Sequence, residues 1–121
     1  MDYRMGAAEM RFAEIIWANA PLPSGELVRL SAELLGWKKS TTYTVLRRLC
    51  EKGLFRNEGG AVTALVDRPS YEESQSRQFV KESFGGSLPA FLAAFTARKK
   101  LTEAEIGELQ RLIDEAREGS K

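Results

Sequence analysis

The chain of 121 residues contains no histidine and a single cysteine, Cys50. Histidine is the commonest general base near neutral pH and the commonest metal ligand, so its absence removes both roles at once. With one thiol no internal disulfide can close, and neither a Cys/His zinc site nor a Ser/His or Cys/His catalytic arrangement can be built. Carboxylates are plentiful, but no glycine-rich phosphate loop or pocket motif accompanies them, so nothing argues for an enzyme or a bound cofactor. No apolar run approaches the roughly 18 residues a membrane helix needs. The amino-terminal M-D-Y-R-M-G-A-A-E also lacks the apolar core of a signal peptide. These absences predict a cytoplasmic protein without membrane insertion, and a lone thiol fits a reducing compartment.

What is present is enough for a core and unevenly charged. Hydrophobic residues make up 43% of the chain, and its formal net charge is only +1. Residues 1–68 hold ten basic and eight acidic side chains, and residues 69–121 hold eight and nine. The excess is gathered in W-K-K-S-T-T-Y-T-V-L-R-R-L-C-E-K-G-L-F-R-N-E-G-G, Trp37 to Gly60. There Lys38, Lys39, Arg47, Arg48, Lys52 and Arg56 face only Glu51 and Glu58.

Periodicity places this stretch in a definite order of elements. Residues 7–18 predict a helix with Ala8, Phe12, Ile15 and Ile16 on its apolar side, ended by Asn19-Ala20-Pro21. Ser24 is the expected N-cap of a second helix, with Leu27, Leu30 and Leu34 inward and Gly36 closing it. Ser40 is the expected cap of a third, with Thr42, Val45, Leu46, Leu49 and Cys50 inward and Gly53 as its stop. L-F-R-N and A-V-T-A-L-V, separated by E-G-G, predict a hairpin. Beyond Pro69 the pattern is helical again. Ser70 to Glu73 matches a capping box, Gly85-Gly86 is a break, Ser87 caps a short apolar helix, and Thr102 to Glu105 is a second capping box.

The expected fold is mainly α with a small β-hairpin: an amino-terminal winged helix-turn-helix over residues 1–68 and a three-helix subdomain over 69–121. In that arrangement the third helix is the one that enters a DNA major groove. Its outward face suits the task. Arg47 has the two parallel donors that guanine O6 and N7 accept, and Thr41, Tyr43 and Thr44 can bond base edges or phosphates. Lys38, Lys39 and Arg48 lie at the flanks, where phosphates pass, with Lys52 beyond them. The hairpin tip carries Glu58 with only Arg56 behind it, so it reads equally as a phosphate-contacting wing or as a cover for the core. Cys50 reads as a small buried hydrophobe, against a redox-sensing thiol that would need exposure.

The second half concentrates Tyr71, Phe79, Phe84, Leu88, Phe91, Leu92, Phe95, Ile106, Leu109, Leu112 and Ile113 in three short helices. So few residues cannot bury that much apolar surface among themselves, and a large exposed apolar surface normally marks a partner. A dimerisation subdomain is the expected reading, and a tail folded back on its own chain is the alternative.

Five segments in order carry a resemblance: A-E-M-R-F-A-E-I-I-W at 8–17, P-L-P-S-G-E-L-V at 21–28, S-T-T-Y-T-V-L-R-R-L-C-E-K-G-L at 40–54, F-G-G-S-L at 84–88 and L-T-E-A-E-I-G-E-L-Q-R-L-I at 101–113. The chain resembles the penicillinase-repressor family of bacterial transcriptional repressors (BlaI/MecI/CopY) from about Ala8 to Ala116. The resemblance implies a homodimer that binds a dyad-symmetric operator on double-stranded DNA and blocks transcription. It puts base reading on Thr41, Tyr43, Thr44 and Arg47, phosphate contacts near Ser40 and Arg48, and dimer helices after Pro69. Copper-responsive members end in a cysteine-rich motif that the terminal A-R-E-G-S-K lacks. β-Lactam-responsive members are relieved by a membrane sensor-protease system that cuts an Asn-Phe bond. That bond aligns with Ala94-Phe95, where Phe95 matches and Ala94 does not. The competing reading is a winged helix used as a protein-docking adaptor without sequence-specific DNA binding, because fold does not fix function.

Overall fold

The computed structural model describes residues 2–119. In chain order the elements are α1 (Ala7–Asn19), β1 (Leu22–Pro23), α2 (Ser24–Leu35), α3 (Lys39–Glu51), β2 (Phe55–Glu58), β3 (Ala61–Ala64), α4 (Arg68–Phe84), α5 (Leu88–Phe95) and α6 (Glu103–Gly119). The strands make one antiparallel sheet in the order β1-β3-β2. The architecture is therefore mainly helical with a small sheet, in the winged-helix order the sequence predicts. β1 is an addition. Leu22 pairs with Val62 and Pro23 with Ala61, and two residues are too few to show an alternation in sequence.

The chain forms two compact units, divided between Gln78 and Phe79 within α4. The core of the first joins Phe12, Ala13, Ile15 and Ile16 of α1 to Leu27 of α2 and to Val45, Leu46 and Leu49 of α3. Leu22, Leu54, Phe55 and Val62 close it from the sheet side. Burial of each large side chain contributes roughly 1.5–3 kcal/mol. Ala8 and Leu34, expected inward, are exposed; Ala13 and Ser31 take the buried positions instead. The apolar stripe of each helix is thus rotated slightly from the one its leucines and alanines suggest. Tyr71 also belongs here. It is buried and stacks on Trp17 at 5.3 Å, Trp17 stacks on Phe55 at 5.5 Å, and the Trp17 indole N–H donates to the Val66 carbonyl at 2.9 Å. Tyr71 is accordingly absent from the exposed apolar surface to which the sequence assigns it.

The turn from α2 to α3 depends on Gly36, whose φ of 70° favours glycine because it has no Cβ. Its N–H returns to the Ala32 carbonyl at 3.1 Å, and Trp37 then packs on Phe12 with ring centroids 5.1 Å apart. This contact lies one residue before the N-cap of α3, Lys38. Three caps differ from expectation. Ser24 and Ser40 lie inside α2 and α3, and the N-cap positions are the extended residues Pro23 and Lys38. α4 starts at Arg68 because Asp67 Oδ1 accepts the Ser70 N–H at 2.8 Å, so Asp67 does the capping expected of Ser70. An ionised Asp beside first-turn amides is a better acceptor than a serine.

In the second unit the capping signals hold. Ser87 Oγ accepts the Ala90 N–H at 3.1 Å, and Thr102 and Glu105 exchange hydrogen bonds of 2.8 and 3.1 Å. Phe79, Phe84 and Phe91 form a triangle of ring contacts at 5.5–5.9 Å, and Phe95 stacks on Phe91 at 5.9 Å. None of the described residues of this unit is fully buried, and Phe79, Leu88, Phe95, Leu112 and Ile113 are each at least half exposed.

Candidate nucleic-acid interface

α3 packs against α2 and β2. Its inner face, Thr42, Val45, Leu46 and Leu49, is buried as predicted. Thr42 Oγ1 donates to the Lys38 carbonyl at 3.1 Å, which satisfies its buried hydroxyl. Gly53, at φ 85°, stops the helix, and the Leu54 N–H returns to the Leu49 carbonyl at 3.1 Å, turning the chain into β2.

The outward face is left to solvent. Thr41, Thr44 and Arg47 recur every three residues and are exposed, and Ser40 lies beside them. Thr44 Oγ1 donates to the Ser40 carbonyl at 2.9 Å, so its proton is engaged by the helix backbone while the oxygen can still accept. Tyr43 is half-buried at the edge of this face, and its hydroxyl donates to Ser24 Oγ at 3.1 Å.

The six basic residues separate into two groups. Among the described residues, Lys38, Lys39 and Arg47 make no ion pair and no side-chain hydrogen bond. The other three have partners. Arg48 Nη1 lies 3.5 Å from Glu9 Oε2, the Lys52 ammonium donates to the Arg4 carbonyl, and Arg56 Nη1 lies 3.7 Å from Glu58 Oε2. The open cations are at the start and middle of α3; the engaged ones are at its end and on the hairpin. The hairpin tip itself presents Glu58.

A groove of about 310 Å³ runs between α3 and β2, lined by Tyr43, Leu46, Arg47, Cys50 and Asn57. Asn57 is a polar neighbour of Arg47 that the helical reading misses. Its signal is the period of two in the strand, which puts Asn57 on the same side as the buried Phe55. Cys50 is half-buried, and burial pushes its thiol above the ordinary value, so it stays protonated near neutral pH. Among the described residues no group of metal-binding side chains occurs, and no helix is long and apolar enough to cross a membrane.

Residues 5–115 match the family described as penicillinase repressor. The chain belongs to the penicillinase repressor family. It is 27% identical over 118 residues to the penicillinase repressor of Bacillus licheniformis, covering 94% of this chain and 92% of that protein. It is 22% identical over 116 residues to the methicillin resistance regulatory protein MecI of Staphylococcus aureus (strain N315), covering 93% and 94%. Penicillinase repressors are DNA-binding transcriptional regulators and not enzymes. Membership gives a function to a chain whose α3 presents unpaired cations and hydroxyls on one face.

Proposed function

We propose that this protein represses transcription as a homodimer on a dyad-symmetric operator, with α3 of each protomer in the major groove. The observation that carries the reading is Arg47. It is exposed, unpaired and flanked by Thr41, Tyr43 and Thr44 on the outward face of α3. Arg47 reads a guanine through two parallel hydrogen bonds, worth about 1–3 kcal/mol of discrimination. Asn57, in the same groove, adds an amide at its edge. Lys38, Lys39 and Ser40, at the amino-terminal end of α3, meet phosphates, where the helix dipole adds to their attraction.

The second unit is the dimer element in this reading. Its half-exposed Phe79, Leu88, Phe95, Leu112 and Ile113 favour a second copy, as does a mostly apolar cleft of about 340 Å³ lined by Phe91, Leu92, Phe95, Leu101 and Leu109 with Glu105 and Glu108. A role in regulating resistance to β-lactam antibiotics is supported by the relatives, a penicillinase repressor and a methicillin resistance regulatory protein. Relief by a sensor protease at Ala94-Phe95 is supported by the exposure of both residues near the end of the eight-residue α5. Co-expression with a cognate sensor and inducer tests this. An intact chain, or a cut elsewhere, removes cleavage from the proposal.

The deciding experiment is selection from a random duplex library, followed by binding of the winners at several salt concentrations. A palindromic consensus bound far more tightly than random duplex supports the dimeric repressor. Weak binding without a consensus transfers α3 to a protein partner.

A further inference from the structure

Charge is not left equally open along α3. At its carboxyl-terminal end, Arg48 Nη1 is 3.5 Å from Glu9 Oε2, and Lys52 is held by the Arg4 carbonyl. The Glu9 side chain is only 19% exposed, against 54% for Arg48. Its other oxygen, Oε1, accepts the Gly6 N–H at 3.1 Å, so the start of α1 fixes the carboxylate independently of Arg48. That Gly6 hydrogen bond first, and then the charges of Lys52 and Arg48, hold the Glu9 carboxyl below its ordinary value of 4.5. Glu9 is therefore a fixed anion at neutral pH, beside a cation on the helix that faces DNA.

With Arg48 half exposed and 3.5 Å from the carboxylate, the pair contributes little to stability. Its effect on a polyanion is larger, because a phosphate that approaches Arg48 also approaches Glu9. Sequence-independent binding is carried almost wholly by phosphate charge. Base reading is carried by Arg47, which, among the described residues, makes no ion pair with Glu9 or any other carboxylate.

We propose that Glu9 is a specificity-determining residue that masks Arg48 from the DNA backbone and so lowers affinity for random sequence more than affinity for operator. The inference rests on the DNA-binding reading above. Masking leaves the phosphate contact to Lys38 and Lys39, and keeps the sequence-independent background low.

The test uses the full chain carrying Glu9→Gln. Glutamine serves the same capping-box position, so the Gly6 N–H keeps its acceptor and only the charge is lost. Binding to the selected operator and to random duplex of equal length is followed by fluorescence anisotropy through a salt series. Glu9→Gln is expected to tighten random-duplex binding about two- to fivefold per protomer. The salt slope steepens by about 0.9 per protomer, and the operator-to-random ratio falls. The double variant Glu9→Gln/Arg48→Gln replaces a masked pair by a neutral pair, so its random-duplex affinity and slope match wild type. A double variant with a shallower slope than wild type shows that Arg48 already contacts phosphate, and overturns the masking. A wild-type protein that prefers its operator, with Glu9→Gln leaving the slope unchanged, overturns it too. A wild-type protein with no sequence preference instead removes the underlying DNA reading.

Discussion

The Tyr43 hydroxyl donates to Ser24 Oγ across 3.1 Å and ties the outward edge of α3 to the first turn of α2. The pair couples the orientation of α3 to a residue of another helix. Tyr43→Phe and Ser24→Ala are each expected to lower stability by about 0.5–1.5 kcal/mol. Their effects should be less than additive, since both remove one bond. Denaturant titration of the two single variants and the double checks this; full additivity would show that the bond contributes nothing.

Arg47 and Lys39 are both unpaired but stand in different places. Arg47→Ala is expected to cost about 1–3 kcal/mol on the operator and to relax preference at one base position per half-site. Lys39→Ala should weaken operator and random duplex alike and reduce the salt slope by about 0.9 per protomer. Equal losses from both substitutions on both duplexes would sink the assignment of Arg47 to base reading.

Leu112 and Ile113 are each about half exposed on α6. Leu112→Asp touches no fully buried position, and its main expected effect is on self-association. Sedimentation should show a shift from dimer to monomer, with a loss of operator affinity to match. An unchanged sedimentation profile takes α6 out of the dimer interface.

Glu9 and Asp67 are among the carboxyls of the first unit that the fold depresses, beside Asp2 and Glu26. The Gly6 N–H stabilises ionised Glu9, and the Ser70 hydroxyl and amide stabilise ionised Asp67. A depressed carboxyl contributes stability above its unfolded value and loses it as pH falls through the folded value. The contribution is therefore full above about pH 4.5 and declines below it, with Asp67 following from its ordinary 3.8 downward. Melting temperature measured from pH 6 to pH 2 should fall over this range, and should fall less in Glu9→Gln.

Phe12 is fully buried against Trp37 at the place where α2 hands over to α3. Phe12→Ala should cost about 3–5 kcal/mol, and it should weaken operator binding by shifting the start of α3. Binding retained at full strength in the folded fraction would show that Trp37 does not set the helix.

Much of the candidate site was legible in the chain because its signals are local. The period of α3 separates buried Thr42, Val45, Leu46 and Leu49 from exposed Thr41, Thr44 and Arg47. Gly36 and Gly53 punctuate it through backbone angles that glycine accepts. Ser87 and the Thr102–Glu105 pair cap helices three residues ahead. Where local signals competed the sequence misled, as when the serine at position 70 looked like a cap and Asp67 took the role.

By itself, then, the sequence determined the order of the helices and the hairpin, though not β1, and the face that α3 turns outward, since these follow from contacts within a few residues. Tertiary structure decided which of the six cations remain open. Arg48 finds Glu9 from 39 residues away and Lys52 finds Arg4 from 48. It also drew Tyr71 into the first core through Trp17, whose indole reaches Val66 across 49 residues. Charge compensation and ring packing act through space, and a periodicity along the chain carries no record of partners that only folding brings together.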